Sequence, residues 1–315
     1  MDGVLMGFGV VLFIVLAGFA AAALVPSRAA AMQEGMTPAV YYITNPALML
    51  MLMAETDLAS VAGVYTPIAL ATAATAGLAY AVVSRFALRR PAERTAVGAM
   101  AASYVNAGNI GLPIALYAVG SAAPVVAVLL AQLLVVAPVY LAVFSWCARR
   151  SPEADDAGRG ALWGSLARSF ANPVTVATAA GVLLSLSGWR LPDVVWTPVQ
   201  MLGNASIVML LLIFGMSLRG QAPLSQRSLA ADVALATVVK LAVMPLTAWL
   251  LARFAFGLDG VELLGVVVMA ALPTAQNVFL FSAQFRMPTL LARDVILLSS
   301  LLAFPAILLA AFLLS

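Results

Sequence analysis

The chain has no histidine, one cysteine and few charges. Without histidine it lacks the usual catalytic base, the imidazole metal ligand and the side chain that titrates near neutral pH. A single Cys147 excludes an intramolecular disulfide and any multi-cysteine metal centre. Only 9% of the 315 residues are charged, whereas soluble domains carry about 25%. No Asp or Glu falls in the middle of an apolar stretch, so neither a catalytic carboxylate pair nor a carboxylate proton relay is visible. Glu55, Asp57, Asp232, Asp259, Glu262 and Asp294 lie near stretch ends, where solvated loop chemistry is expected. An intramembrane protease or similar enzyme is excluded on these grounds, and no cofactor is expected.

What is present is apolar. Hydrophobic residues make up 64% of the chain, and the mean hydropathy is +1.06. So much apolar surface exceeds what one core can bury, and the solvent that accepts it is lipid. There each spanning helix needs about 20 largely apolar residues, because no water satisfies the backbone. Charges and turn residues divide the chain into ten apolar segments, roughly 3–25, 37–54, 62–84, 95–119, 121–147, 170–188, 195–218, 229–252, 261–285 and 290–314. Phe19-Ala20-Ala21-Ala22-Ala23 resembles a cleavage site, but Asp2 and the lack of Lys or Arg ahead of it favour a first spanning helix over a signal peptide.

The net charge of +3 reflects orientation signals in short gaps, not a nucleic-acid partner. With the N-terminus outside, the inner gaps hold Arg28, Arg85, Arg89, Arg90, Arg94, Arg149, Arg150, Arg159, Arg168, Arg219, Arg227, Arg286 and Arg293, and the outer ones only Arg190 and Arg253. Lys and Arg stay cytoplasmic, so both termini are expected on the periplasmic side of the cell inner membrane. Trp163, Trp189, Trp196 and Tyr65 suit the interfacial aromatic belt.

The halves resemble each other: residues 1–147 form a first five-helix repeat, 148–169 a cytoplasmic linker, and 170–315 a second repeat. An odd number of spans per half inverts the second, the sequence mark of secondary transporters. Leu133-Leu134-Val135-Val136-Ala137-Pro138 parallels Leu301-Leu302-Ala303-Phe304-Pro305. Pro67 parallels Pro245, and Asn45-Pro46-Ala47 parallels Asn204-Ala205-Ser206.

The fourth and ninth segments are each interrupted near mid-depth. Asn106-Ala107-Gly108-Asn109-Ile110-Gly111-Leu112-Pro113 joins a missing N–H at Pro113, glycines that tolerate unwound backbone and two carboxamides that donate and accept hydrogen bonds. Leu272-Pro273-Thr274-Ala275-Gln276-Asn277 is its counterpart. Freed backbone at that depth must be buried in protein or line a wet cavity, and half-helix ends offer partial charge to ions. Asn106, Asn109, Gly111, Pro113, Pro273, Thr274, Gln276 and Asn277 are therefore the candidate substrate-binding residues.

Lys240 joins them as the charge placed deepest in a span, where a bare cation costs at least about 2.5–3.5 kcal/mol. It pairs with an anionic substrate, caps carbonyls of the broken helices, or is a neutral, proton-exchanging amine. Gln132, Ser206 and Asn45 are secondary candidates, with helix–helix hydrogen bonding the alternative role for Gln132 and Ser206. Met49, Met51 and Met53 read as adaptable packing rather than a metal or redox box.

The whole chain resembles the auxin efflux carrier family, which includes plant PIN proteins and bacterial malate and malonate carriers. Residues 106–113 with Gly120, residues 273–277, and Lys240 ahead of Pro245 carry the likeness. The resemblance implies an all-α polytopic fold related to sodium/proton antiporters and bile-acid symporters: ten transmembrane helices as a 5+5 inverted repeat, the broken fourth and ninth crossing at their prolines. It also implies a scaffold unit, a mobile crossover unit and transport of mono- or dicarboxylates, with Asn109, Pro113, Pro273 and Asn277 at the crossing. The central loop is short, unlike that of many plant members. The expected function is a secondary active transporter of a small organic anion by alternating access, with an anion channel or uniporter on the same fold as the alternative. The expected partners are that anion, a coupling proton or sodium ion, membrane lipid and, as an assembly, a homodimer. Ten segments and two breaks argue against a retinal photoreceptor built on Lys240.

Overall fold

A computed structural model describes residues 2–56, 61–149, 173–219 and 226–314. Those residues are helical nearly throughout: α1 (Asp2–Leu24), α2 (26–55), α3 (Val61–Ala87), α4 (Ala92–Ser103), α5 (Ala107–Val119), α6 (Ala123–Ala148), α7 (Pro173–Ser187), α8 (Asp193–Ser217), α9 (Arg227–Ala255), α10 (Gly260–Ala270), α11 (Asn277–Gln284) and α12 (Thr289–Leu314). Five of them, α3, α6, α8, α9 and α12, are long and apolar enough to cross a bilayer. Most of the expected linker, 150–169, lies outside the described residues. The second expected segment is longer than hydropathy indicated: α2 starts at Pro26, eleven residues ahead of 37, because Arg28, Gln33 and Glu34 are polar yet good helix formers.

Prolines explain a repeated local feature. Wide π-helical turns span Val40–Thr44, Val61–Tyr65, Ala107–Gly111, Gln132–Val136 and Val239–Val243. Each ends two residues before a proline: Pro46, Pro67, Pro113, Pro138 and Pro245. A proline ring clashes with the carbonyl four residues back and offers no N–H. Widening the turn by one residue moves that carbonyl aside, and the neighbouring N–H bonds five residues back, as Asn45 to Val40, Ala137 to Gln132 and Met244 to Val239. Pro38, Pro198 and Pro305 sit in α-helix without such a turn.

The chain divides into two compact units that cut across the sequence halves. The first comprises Met1–Gly63, Gly108–Val126 and Ala167–Gln221. Within it small residues bring helices together, as expected in lipid. A Cβ on Gly215 of α8 would fall 2.0 Å from the Val15 carbonyl oxygen of α1, and one on Gly181 of α7 would fall 2.7 Å from that of Leu50 on α2. Gln200 of α8 donates to Glu55 at 3.1 Å, while Gly203 abuts Leu48, so α2 and α8 run antiparallel. Met49, Met51 and Met53 are buried in this packing.

The second unit comprises Val64–Ala107, Ala127–Leu166 and Ala222–Ser315. At its centre lie α4 and α10, where Ala96–Ser103 and Leu263–Ala270 are buried at every position. A helix apolar on all faces belongs in an interior, and these two lead directly into the two breaks.

Candidate functional site

Helix α4 ends at Ser103, and Tyr104 is extended (φ −98°, ψ 108°). Helix α10 ends at Ala270, and α11 begins at Asn277. The two gaps meet within the second unit as a minimal antiparallel ladder. Val105 pairs with Thr274, the Asn106 N–H donates to the Pro273 carbonyl at 2.8 Å, and the Ala275 N–H donates to the Tyr104 carbonyl at 3.1 Å. Backbone groups freed by the breaks thus satisfy each other at a depth where water is scarce.

Side chains lock the ladder. Gln132 of α6 donates to the Val105 carbonyl at 3.0 Å. Fully buried Thr274 is engaged at both polar groups, its hydroxyl donating to the Ala101 carbonyl at 2.7 Å and its N–H to Ser299 Oγ at 3.1 Å. Ser103 and Tyr140 share a hydrogen bond at 2.9 Å. Around it, Tyr104 hydrogen-bonds the side chain of Asn277 and packs edge-on against Phe281 at 6.5 Å.

The break in the fourth segment falls at 104–106, ahead of Gly108, Gly111 and Pro113, and not at the proline. Residues 107–119 are helical, and Pro113 is accommodated by the wide turn 107–111, as at the other four sites. That helix stops at Gly120, whose φ of +78° is the left-handed cap glycine adopts without strain. In the ninth segment Pro273 does sit in the gap, as expected.

Of the candidate residues, Asn106, Pro273, Thr274, Gln276, Asn277, Gln132 and Lys240 belong to the second unit. Asn106 is buried, whereas Gln276 and Asn277 are exposed at the start of α11. Asn109, Gly111, Pro113, Asn45 and Ser206 belong to the first unit. There Asn109 and Gly111 lie on the wide turn of α5, and Ser206 Oγ and Asn45 Oδ1 are buried without a hydrogen bond. Lys240 lies on the wide turn of α9, fully buried, with its ammonium 3.1 Å from Met244 Sδ.

Asp232 and Asp294 are corrections. Expected in solvated surroundings, both are fully buried. Arg90 Nε lies 3.0 Å from Asp232 Oδ1 and an Arg94 guanidinium nitrogen 3.7 Å from Oδ2, while Arg293 holds Asp294 at 2.9 Å. Spacing from the helix ends does not show which face of a helix a residue occupies, so their burial was not legible. Sequence reasoning also missed Tyr104, Ala101 and Ser299, which act through backbone groups or small hydroxyls and leave no motif.

Apolar helices of membrane-spanning length, with polar backbone exchanged between two interrupted helices, define a polytopic integral membrane protein of the transporter class. Residues 5–311 match the family described as membrane transport protein, and the chain belongs to that auxin efflux carrier-like family. No curated protein matches the chain. Membership makes it a membrane transporter.

Proposed function

We propose that the protein is a secondary active transporter of a small organic anion, a mono- or dicarboxylate, operating by alternating access in the inner membrane. The observation that carries this reading is the ladder between residues 104–106 and 273–275, which puts the start of α11 beside unwound backbone. A half-helix N-terminus carries partial positive charge, and the exposed Asn277 carboxamide, which also holds Tyr104, has a second N–H to offer there. Such an end suits a carboxylate. Asn106 and Asn277 orient the anion, Pro273 keeps the gap open, and Lys240 neutralises charge in the same unit. A proton or sodium ion supplies the coupling.

The finer architecture goes with this function: ten spans as an inverted 5+5 repeat, with both ends periplasmic. Proteoliposomes loaded with malonate and assayed with labelled malonate, malate or acetate test the proposal. Saturable uptake accelerated by internal anion is expected, and Asn277→Ala lowers kcat/KM roughly ten- to a hundredfold, the weight of a hydrogen bond to a charged group. Linear flux without trans-acceleration sinks the carrier reading and leaves a channel.

A further inference from the structure

The interior charges of the second unit do not balance. Buried Asp232 is matched by Arg90 and Arg94, and buried Asp294 by Arg293. Buried Lys240 has the Met244 thioether at 3.1 Å, a weak acceptor. Among the described residues no carboxylate forms an ion pair with it. A lysine removed from water needs a counter-charge to stay protonated, and among the described residues of this unit Lys240 is the one fully buried ionisable side chain of the three that lacks an ion-pair partner.

Two hydroxyls point to where the missing charge sits. Thr37, Thr56, Thr178 and Thr247 each donate to the carbonyl four residues back, at 2.6–2.8 Å. Thr72 and Thr237 do not; both are buried, and their hydroxyl oxygens have no hydrogen bond. Buried polar atoms are seldom left so without an occupant nearby. Thr237 lies three residues from Lys240 on α9 and so shares its face.

Thr72 reaches the same level from α3. Tyr80 near the end of α3 is within electrostatic reach of Asp232 near the start of α9. Residues 239–250 of α9 also pack on α3, which ends only seven residues beyond Tyr80. The two helices therefore run antiparallel. Eight residues from each anchor, Tyr80 leads to Thr72 and Asp232 leads to Lys240, the same rise along both axes. The Lys240 amine and the two hydroxyls, each able to donate, thus lie within about one helical turn of one another along the two helices. Asp232 lies two turns away with its charge already matched, so it does not repel an anion there.

We infer that Lys240, Thr237 and Thr72 form a binding site for one small anion, a carboxylate group or a halide, inside the second unit. Its carboxylate arm rests on the organic-anion reading above; its halide arm does not.

Purified full-length protein is heated in detergent with sodium malonate, sodium acetate or sodium chloride, against sodium gluconate at equal ionic strength. Saturable stabilisation by at least one small anion is expected. Thr72→Val and Thr237→Val each weaken its apparent affinity roughly tenfold, and Lys240→Met removes it. Thr247→Val, whose hydroxyl is already bonded to its own helix, leaves it unchanged. Protection by chloride alone assigns a free halide, by malonate or acetate alone the substrate carboxylate, and by both a shared site. If Lys240→Met does not fold, the two threonine variants, which keep their volume, carry the test. No protection by any small anion, or protection indifferent to both threonine variants, overturns the inference. Protection through Lys240 in a protein that exchanges no carboxylate in liposomes leaves the site standing and removes the transport reading.

Discussion

Arg90 and Arg94 illustrate how single residues set the energetics of a lipid-embedded fold. Asp232 is fully buried, and these two guanidiniums are the counter-charges beside it. Removing the partners of a buried charge leaves it uncompensated, which costs about 3–5 kcal/mol. The double variant Arg90→Ala, Arg94→Ala is therefore expected to lose about that much stability in thermal or denaturant unfolding, while an Arg-to-Lys exchange at position 94, with its looser 3.7 Å contact, loses far less. Close packing adds a second residue-scale test. A Cβ on Gly98 would fall 2.1 Å from the buried Tyr80 ring. Gly98→Val overpacks that contact and is expected to cost about 1–3 kcal/mol by the same measurement.

At the scale of elements, the wide turns ahead of prolines place side chains as well as relieve strain. Lys240 lies inside the turn Val239–Val243 that Pro245 requires. With Pro245→Ala the ring no longer obstructs the turn, and a regular α-helix becomes available. Closing it by one residue rotates the segment on one side by about 100° relative to the other. The variant is expected to stay folded, since alanine favours helix, yet to lose anion protection and anion exchange together. Elements also show what was legible beforehand. The stretches of apolar sequence marked most helices, because lipid demands length and apolarity, and both are written in composition. The break at 271–276 was legible because Pro273 stands in it. The break at 104–106 was not: Pro113, taken as its cause, is absorbed by a wide turn, while Tyr104 and Val105 look like ordinary apolar helix. What unwinds them is a partner 169 residues away, Val105 against Thr274, and no local signal reports so remote a pairing. Lys240 was legible as a buried charge, whereas Thr72 and Thr237 became informative only once their missing hydrogen bonds were seen.

At the scale of the whole molecule, the compact units take segments from both sequence halves, an arrangement that hydropathy cannot express because it records depth and not neighbours. Sidedness is open to direct measurement. Cys147 is buried, so a Cys147→Ser background with one cysteine placed at exposed Arg85 or exposed Arg190 reports each side separately. A membrane-impermeant maleimide added to intact spheroplasts is expected to label Arg190→Cys and spare Arg85→Cys, and inverted vesicles to give the opposite. Equal labelling from one side would reverse or abolish the proposed orientation. The joint between the interrupted helices has its own consequence for how such a protein diversifies. Its fasteners at 104–106 and 273–275 are peptide groups, common to every amino acid except proline, which lacks the donor. Selection can therefore re-tailor cargo preference by exchanging neighbouring side chains while the hub itself is inherited unaltered, and only a proline arriving at Asn106 or Ala275 would unclasp it.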